Sequence, residues 1–291
     1  MELAVCDQIG GLVYDAGVLD YFADARARLL LPGGTLVPGT FQLLAAPVAS
    51  AQWPDTVGLW AQMPAGFDMG PMFERAVNTE FRFEIPASEL LAEPRCWAEV
   101  DADHVAPITG RVELIIDEPG EVNGIAGMFR AALAPGVELT NCPGQPGYFK
   151  RWQNFYPLPE PVAVAPGDRV DVSFDIRPRS YLATWTVRVQ RAGADRAAAS
   201  RGSTVLGMFL TPTDLATPHD GAVARASSAL AADRHALSLV DGQRTVADIV
   251  ESTWSAHGAA FASRQDLKER IDALLRPHLH PEPTWPTSST A

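Results

Sequence analysis

Between Phe81 and Val189 four short runs alternate apolar and polar residues: Phe81 to Ile85, Arg111 to Ile116, Val170 to Ile176 and Thr184 to Val189. A period of two sends one set of side chains to each face of a pleated strand. Separated by Gly, Pro and Asp turns, such runs demand antiparallel strands with one buried face, as in a sandwich or a barrel. The residues expected to face the core are Val170, Val172, Phe174 and Ile176.

The chain upstream is written in another period. From Tyr14 to Leu31, apolar residues at Val18, Leu19, Phe22, Ala25, Leu29 and Leu30 alternate with charged ones at helical spacing, and Pro32-Gly33-Gly34 stops the pattern. Thr35 to Pro38 then leads into an apolar strand, Phe41 to Val48. Before the helix, Glu2 to Gly10 is an apolar run that ends in Asp7 and a glycine. That suits the C-terminal edge of a parallel strand, where α/β sheets place ligands. Residues 1–48 therefore read as the end of an α/β domain. The first strand, glycine-rich turn and ribose-binding carboxylate of such a domain have no counterpart upstream, so the chain is not expected to hold a dinucleotide or adenosyl cofactor unaided. The expectation includes a strand with no parallel neighbour in its own chain and an exposed apolar helix face.

The fold class that follows is mainly β with helices. The α/β remnant (1–48) is followed by a β-barrel-like sandwich at 49–190, interrupted by a helical arm at about 59–75 that is rich in Trp, Phe and Met. A small-residue linker spans 191–234, and a small helical or winged-helix unit occupies 235–278. In that unit the Asp241-Gly242 turn precedes Thr245, which is placed to cap a helix with Asp248 three residues on, and a second helix is expected from Ser263 to Leu275. The Pro-rich tail at 279–291 is expected to be disordered.

Composition narrows the partners. The 291 residues carry a formal charge of -12, which disfavours duplex nucleic acid and anionic membrane, because phosphate neutralisation needs clustered Lys and Arg. Cys6, Cys96 and Cys142 follow no metal or disulfide spacing and read as reduced structural residues. His278 and His280 lie in the Pro-rich tail and read as a chain end, so no metal is expected. With no spanning segment and no charged-then-apolar leader, the expected compartment is the cytoplasm.

Several strings, in order, resemble the C-terminal half of protein arginine N-methyltransferases. They are Asp7-Gln-Ile-Gly10 with Asp15, Gly17 and Leu19, Asp24-Ala-Arg26 before Leu30-Leu-Pro-Gly-Gly34, and Gly66-Phe-Asp-Met69. Further on come Asn123-Gly-Ile-Ala-Gly-Met-Phe129, Arg151-Trp152 and Pro166-Gly-Asp168. The resemblance covers about Glu2 to Val189. It implies transfer of a methyl group from S-adenosylmethionine to a protein or peptide nitrogen, a barrel-like sandwich, and an arm at 59–75 that makes a homo- or hetero-dimer.

In that family two glutamates on a loop grip the guanidinium in bidentate fashion, and a His-Trp loop from the barrel supports them. Carried over by position, the first glutamate is Asp7, the second is Ala16, the histidine is Arg151, and Trp152 is retained. One carboxylate does not make a two-sided clamp, and an arginine at 151 is placed to pair with Asp7. Plainer roles stand beside these: Asp7 as a cap for the next turn, Trp152 as core. Leu237 to Leu275 faintly resembles small winged-helix domains of the PqqD type, which bind ribosomal-peptide precursors, although a three-helix bundle would write a similar pattern. Two functions follow: an arginine-methyltransferase-like protein whose cofactor half lies elsewhere, or a non-catalytic dimerisation and peptide-binding subunit. A third keeps methyl transfer with an acceptor other than arginine, for which Ala16 makes room.

Overall fold

The computed structural model describes residues 1–62, 64–209 and 227–276. They fall into two compact units, Met1–Leu210 and Thr211–Ala291. In the first, strand β1 (Leu3–Val5) runs into a loop, a 3-10 turn at Tyr14–Ala16, and helix α1 (Val18–Arg28). Strands β2 (Thr35–Val37) and β3 (Thr40–Val48) follow, then the arm with α2 (Trp53–Thr56), two 3-10 turns and α3 (Gly70–Ala76). Nine more strands complete the β part: β4 (Phe81–Phe83), β5 (Arg95–Asp101), β6 (Ile108–Ile115), β7 (Gly120–Ala134), β8 (Val137–Thr140), β9 (Gln153–Val164), β10 (Arg169–Arg177), β11 (Leu182–Gln190) and β12 (Ala198–Ser203). A short helix α4 (Thr204–Gly207) closes the unit.

These strands form two sheets that do not close into a barrel. One has the order β12-β11-β10-β6; the other has β4-β9-β7-β3-β5, with β8 on the far end of β7. The alternating runs behave as their period requires. Val170, Val172, Phe174 and Ile176 are all buried, and β11 lays Ala183, Trp185, Val187 and Val189 against the same core. Strand β3 shows no alternation because both of its faces are covered. Phe41, Leu43 and Ala45 face the main core, whereas Leu44, Ala46 and Val48 join Phe83, Met128 and Phe155 in a second cluster, with Trp53 of the arm packed against it.

The start of the chain departs from expectation in two ways. Strand β1 does have a parallel neighbour, pairing with β2 from Leu3↔Thr35 to Val5↔Val37. The apolar face of α1 is not exposed either: Val18, Leu19 and Phe22 belong to the sandwich core. The helix is also shorter than its pattern, since Gly17 at φ 78° separates the 3-10 turn from α1. Part of the expected linker is sheet and helix, because β12 pairs with β11 and residues 228–234 are helical.

Among its described residues the second unit has three α-helices, α5 (Ser228–Ser238), α6 (Val246–His257) and α7 (Arg264–Leu275), around Ala236, Ile249, Val250, Leu267, Ile271 and Leu275. Thr245 and Asp248 form the expected reciprocal capping box of α6, and Ser263 caps α7. His235 to Val240, read as a short apolar segment, is the end of α5 and its exit. No strand occurs among the described residues of this unit. His278, His280 and the tail at 279–291 lie outside the described residues. Among those described, no helix is long and apolar enough to cross a membrane.

Candidate functional site

The backbone of the loop from Asp7 to Ala16 is tightly constrained. Gly10 adopts φ +75°, and a Cβ there would lie 2.2 Å from Asp15 Oδ1. Gly11 has no room either, since its Cβ would meet Asn154 Oδ1 at 2.0 Å. Val13 is buried, has φ 68° and ψ -49°, and sits at the centre of a tight turn in which Tyr14 N–H donates to the Leu12 carbonyl at 2.7 Å. A three-residue turn of that hand is rare and strained, and more so for a β-branched side chain. Strain of this kind persists only where the surroundings over-determine it.

The surroundings here do so. The Asp15 carboxylate accepts the N–H groups of Gly11 and Leu12 at 3.0–3.1 Å. Asn141, fully buried, donates to the Gly11 carbonyl at 2.8 Å and the Trp152 carbonyl at 3.0 Å, while its oxygen accepts Phe129 N–H. Gln153 ties the same segment to Asn141 and to Ile85. The loop and the Arg151-Trp152 segment are thereby stapled to β7.

Of the residues expected from sequence, the fold brings Arg151 to the loop but not to the Asp7 carboxylate. Arg151 Nη1 donates instead to the backbone carbonyls of Asp7 and Gly10, both at 3.4 Å. The Asp7 side chain is exposed and has no ion pair among the described residues. Ala16, half-buried, supplies no second carboxylate. Trp152 is 38% exposed rather than core, with the Arg82 guanidinium 5.5 Å and the Arg151 guanidinium 5.8 Å from its ring. The Asp15 side chain is only 6% exposed, turned to the Gly11 and Leu12 amides, with Arg82 3.6 Å from it.

A second constellation was not legible in the sequence. Glu80, just before β4, accepts hydrogen bonds from the Tyr14 hydroxyl and from Asn154 Nδ2, the latter at 2.6 Å. The Tyr14 and Tyr156 hydroxyls are 3.3 Å apart. Burial is the main reason that the Glu80 carboxyl titrates near 7. The Tyr14 hydrogen bond opposes that rise, the charge of Asp15 adds to it, and Tyr156 and Arg82 pull it back. Burial, then the Glu80 charge, hold both phenols well above their ordinary range. Asn154 Oδ1 is buried with no partner among the described residues. The cluster borders a cleft of about 300 Å³ lined by Tyr14, Asp15, Glu80, Arg82, Tyr181 and Met208. The only sequence hint was a lone glutamate ahead of an aromatic strand, and its partners come from residues 66 and 74 positions away.

The N–H groups of Gly11 and Leu12 donate to Asp15 and so are not free to meet a ligand. Among the described residues, β1 and β2 are the only parallel strand pair within the named sheets. Nor do the described residues bring together three or more His, Cys, Asp or Glu side chains in a way that could hold a metal ion.

A scan against protein-family models finds no match, and a search of curated proteins finds none. Solved structures do match. The Trypanosoma brucei PRMT1 enzyme-prozyme heterotetrameric complex with AdoHcy superposes at a TM-score of 0.58 and 18% identity, over 70% of this chain and 69% of that one. Arabidopsis thaliana protein arginine methyltransferase 10 superposes at 0.56 and 14% identity, over 70% of each chain. At such identities the likeness is one of architecture: the chain has a protein-arginine-methyltransferase-like fold.

Proposed function

We propose that this chain is the acceptor-side half of a methyl-transfer assembly, working on a protein or peptide nitrogen only with an S-adenosylmethionine-binding half that it does not itself build. The observation that carries this is the bare side of the parallel pair. Parallel strands ordinarily lie buried on both faces, and a two-stranded sheet is marginal by itself. Here Ala4 and Cys6 pack on the core, but Leu3 and Val5, on the opposite face of β1, are 51% and 69% exposed. Met1, Tyr21, Leu29 and Leu31 add further exposed apolar surface nearby in the same segment. This is how a sheet looks where more strands and a helix belong. The arm at 59–75, with Phe67 and Leu59 exposed, is a second surface fitted to another subunit.

A non-catalytic role within such an assembly is favoured by one specific feature. The loop that would clamp a guanidinium has Asp7 in solvent, Ala16 in place of the second carboxylate, and Arg151 on backbone carbonyls. The T. brucei structural neighbour is a heterotetrameric complex of an enzyme with a prozyme, so an assembly of more than one kind of chain occurs on this fold. The described residues of the second unit show the three helices of a plain bundle and no strand, and a peptide-holding role for it rests on its faint sequence resemblance to PqqD-type domains alone.

Calorimetry with S-adenosylmethionine and the chain alone is expected to show no binding; micromolar binding would overturn the divided-site reading. Light scattering on the same sample is expected to show association, reduced by Val5→Asp, a change that leaves the folded core untouched. A monodisperse wild-type monomer would remove the argument from the bare face.

A further inference from the structure

Resting on the reading of the Asp7–Ala16 loop as the acceptor-side loop, we infer that Glu80 is its positioning residue and makes the loop a proton-gated element. Among the described residues, Glu80 makes no hydrogen bond or ion pair with Asp7, Arg151 or Trp152. It acts through Tyr14, whose hydroxyl it accepts, and Tyr14 follows directly on the strained turn at Val13. The staples on the other side of the loop, Asp15 on Gly11 and Leu12 and Asn141 on the Gly11 carbonyl, hold backbone only. Ile9, Leu12, Val13 and Tyr14 are buried in the sandwich core, and the Tyr14 to Glu80 hydrogen bond is a polar, titratable tie added to that packing.

The groups that face the Glu80 carboxyl are few. Tyr14 and Asp15 come from the loop, Arg82 from β4, and Tyr156 with the neutral Asn154 from β9. Arg82 is the one cation among them, and it is more than half exposed and turned to Asp15 at 3.6 Å. An ionised Glu80 therefore sits beside a second carboxylate with its balancing charge in solvent. Opening the loop hydrates that carboxyl; closing it favours the neutral acid. With a closed-state value near 7 and a hydrated value near 4.5, the closed form holds the extra proton between those limits. Closure is thus complete at low pH and is progressively lost as pH rises to about 7, by up to about tenfold per unit, with no further change above.

The test is amide hydrogen exchange on the full chain from pH 5 to 9, corrected for intrinsic rates, and it reads the loop without requiring a partner or methyl transfer. Protection of the Gly11, Leu12 and Tyr14 amides is expected to fall at least about tenfold between pH 5 and 7 and then level off. Glu80→Gln, which keeps the shape, accepts from Asn154 Nδ2 through its one oxygen and donates its amide N–H to the Tyr14 hydroxyl in reverse, is expected to abolish the slope. Tyr14→Phe is expected to flatten it while lowering protection at every pH, because the tie is cut with Glu80 still present. A flat wild-type profile, or a slope that survives in Glu80→Gln, would overturn the inference. Because neither readout depends on a cofactor half, failure here is distinct from failure of the divided-site reading.

Discussion

Phe22→Ala is expected to destabilise the first unit by about 3–5 kcal/mol, the range for deleting a large aromatic side chain from a packed core. Phe22 is 1% exposed and belongs to the cluster that also holds Phe41, Tyr156 and Trp185 from the two sheets. The neighbouring aromatic residue gives the control: Tyr21 is 56% exposed, and Tyr21→Ala should change stability by no more than about 0.5 kcal/mol. Urea unfolding followed by near-ultraviolet circular dichroism measures both. A loss below about 1 kcal/mol for Phe22→Ala would mean that α1 is held to the sandwich only loosely, and the mixed α/β and β unit would have to be divided into two.

Stability of the first unit should fall as pH rises from about 4.5 to about 7, by about 3 kcal/mol in total, and should then stay level. The sign follows from proton counting. The unfolded chain has lost the Glu80 proton above its ordinary value of 4.5, whereas the folded chain keeps it to about 7. Over that window the native state binds the extra proton, so each unit of pH removes about 1.4 kcal/mol. Glu80→Gln takes away this contribution and should leave the variant at least as stable as wild type at pH 8, with a flatter profile below. Chemical denaturation midpoints at pH 5, 7 and 8.5 decide the matter. A wild-type profile that rises across the window would show that Glu80 is ionised throughout in the folded state, stabilised by its donors beyond the cost of burial.

The parts of this architecture that sequence could reach are those where one face is wet. Strands β10 and β11 advertise themselves by alternation because solvent meets every second residue. Strands β7 and β9 do not, since Ile125, Ala126, Met128 and Phe129 are all buried, on two different faces of the sheet. The cap at Thr245 and the start of the last helix at Ser263 were legible for the opposite reason: the signal is local and spans a few residues. Parallel pairing of β1 with β2 was missed because Leu3 and Thr35 lie 32 positions apart with a helix between them. The site divides in the same way. Asp7, Arg151 and Trp152 were named only from the order of short strings, and the contacts the fold gives them run through main-chain carbonyls that no side-chain identity reveals. Glu80 was invisible because its meaning comes from Tyr14, Asn154 and Tyr156, brought together only by tertiary packing.

Asn123 closes one corner of the six-stranded sheet by a reciprocal pair, its oxygen accepting Ser50 N–H and its nitrogen donating to the Ser50 carbonyl, each at 2.9 Å. The residue after it is Gly124, paired in the sheet with Val48 and Pro157. An Asn-Gly step in a supple peptide ages quickly, because the glycine nitrogen swings onto the asparagine side-chain carbonyl and closes a succinimide. Here both reacting groups are held in the ladder and the carbonyl is occupied, so the ring cannot form until β3 and β7 part. Hydrolysis afterwards leaves a carboxylate or isopeptide facing the Ser50 carbonyl with nothing to donate, and the corner cannot re-form. The dipeptide therefore acts as a chemical clock that runs only while the sandwich is open, and old preparations of the protein carry a record of how often that happens.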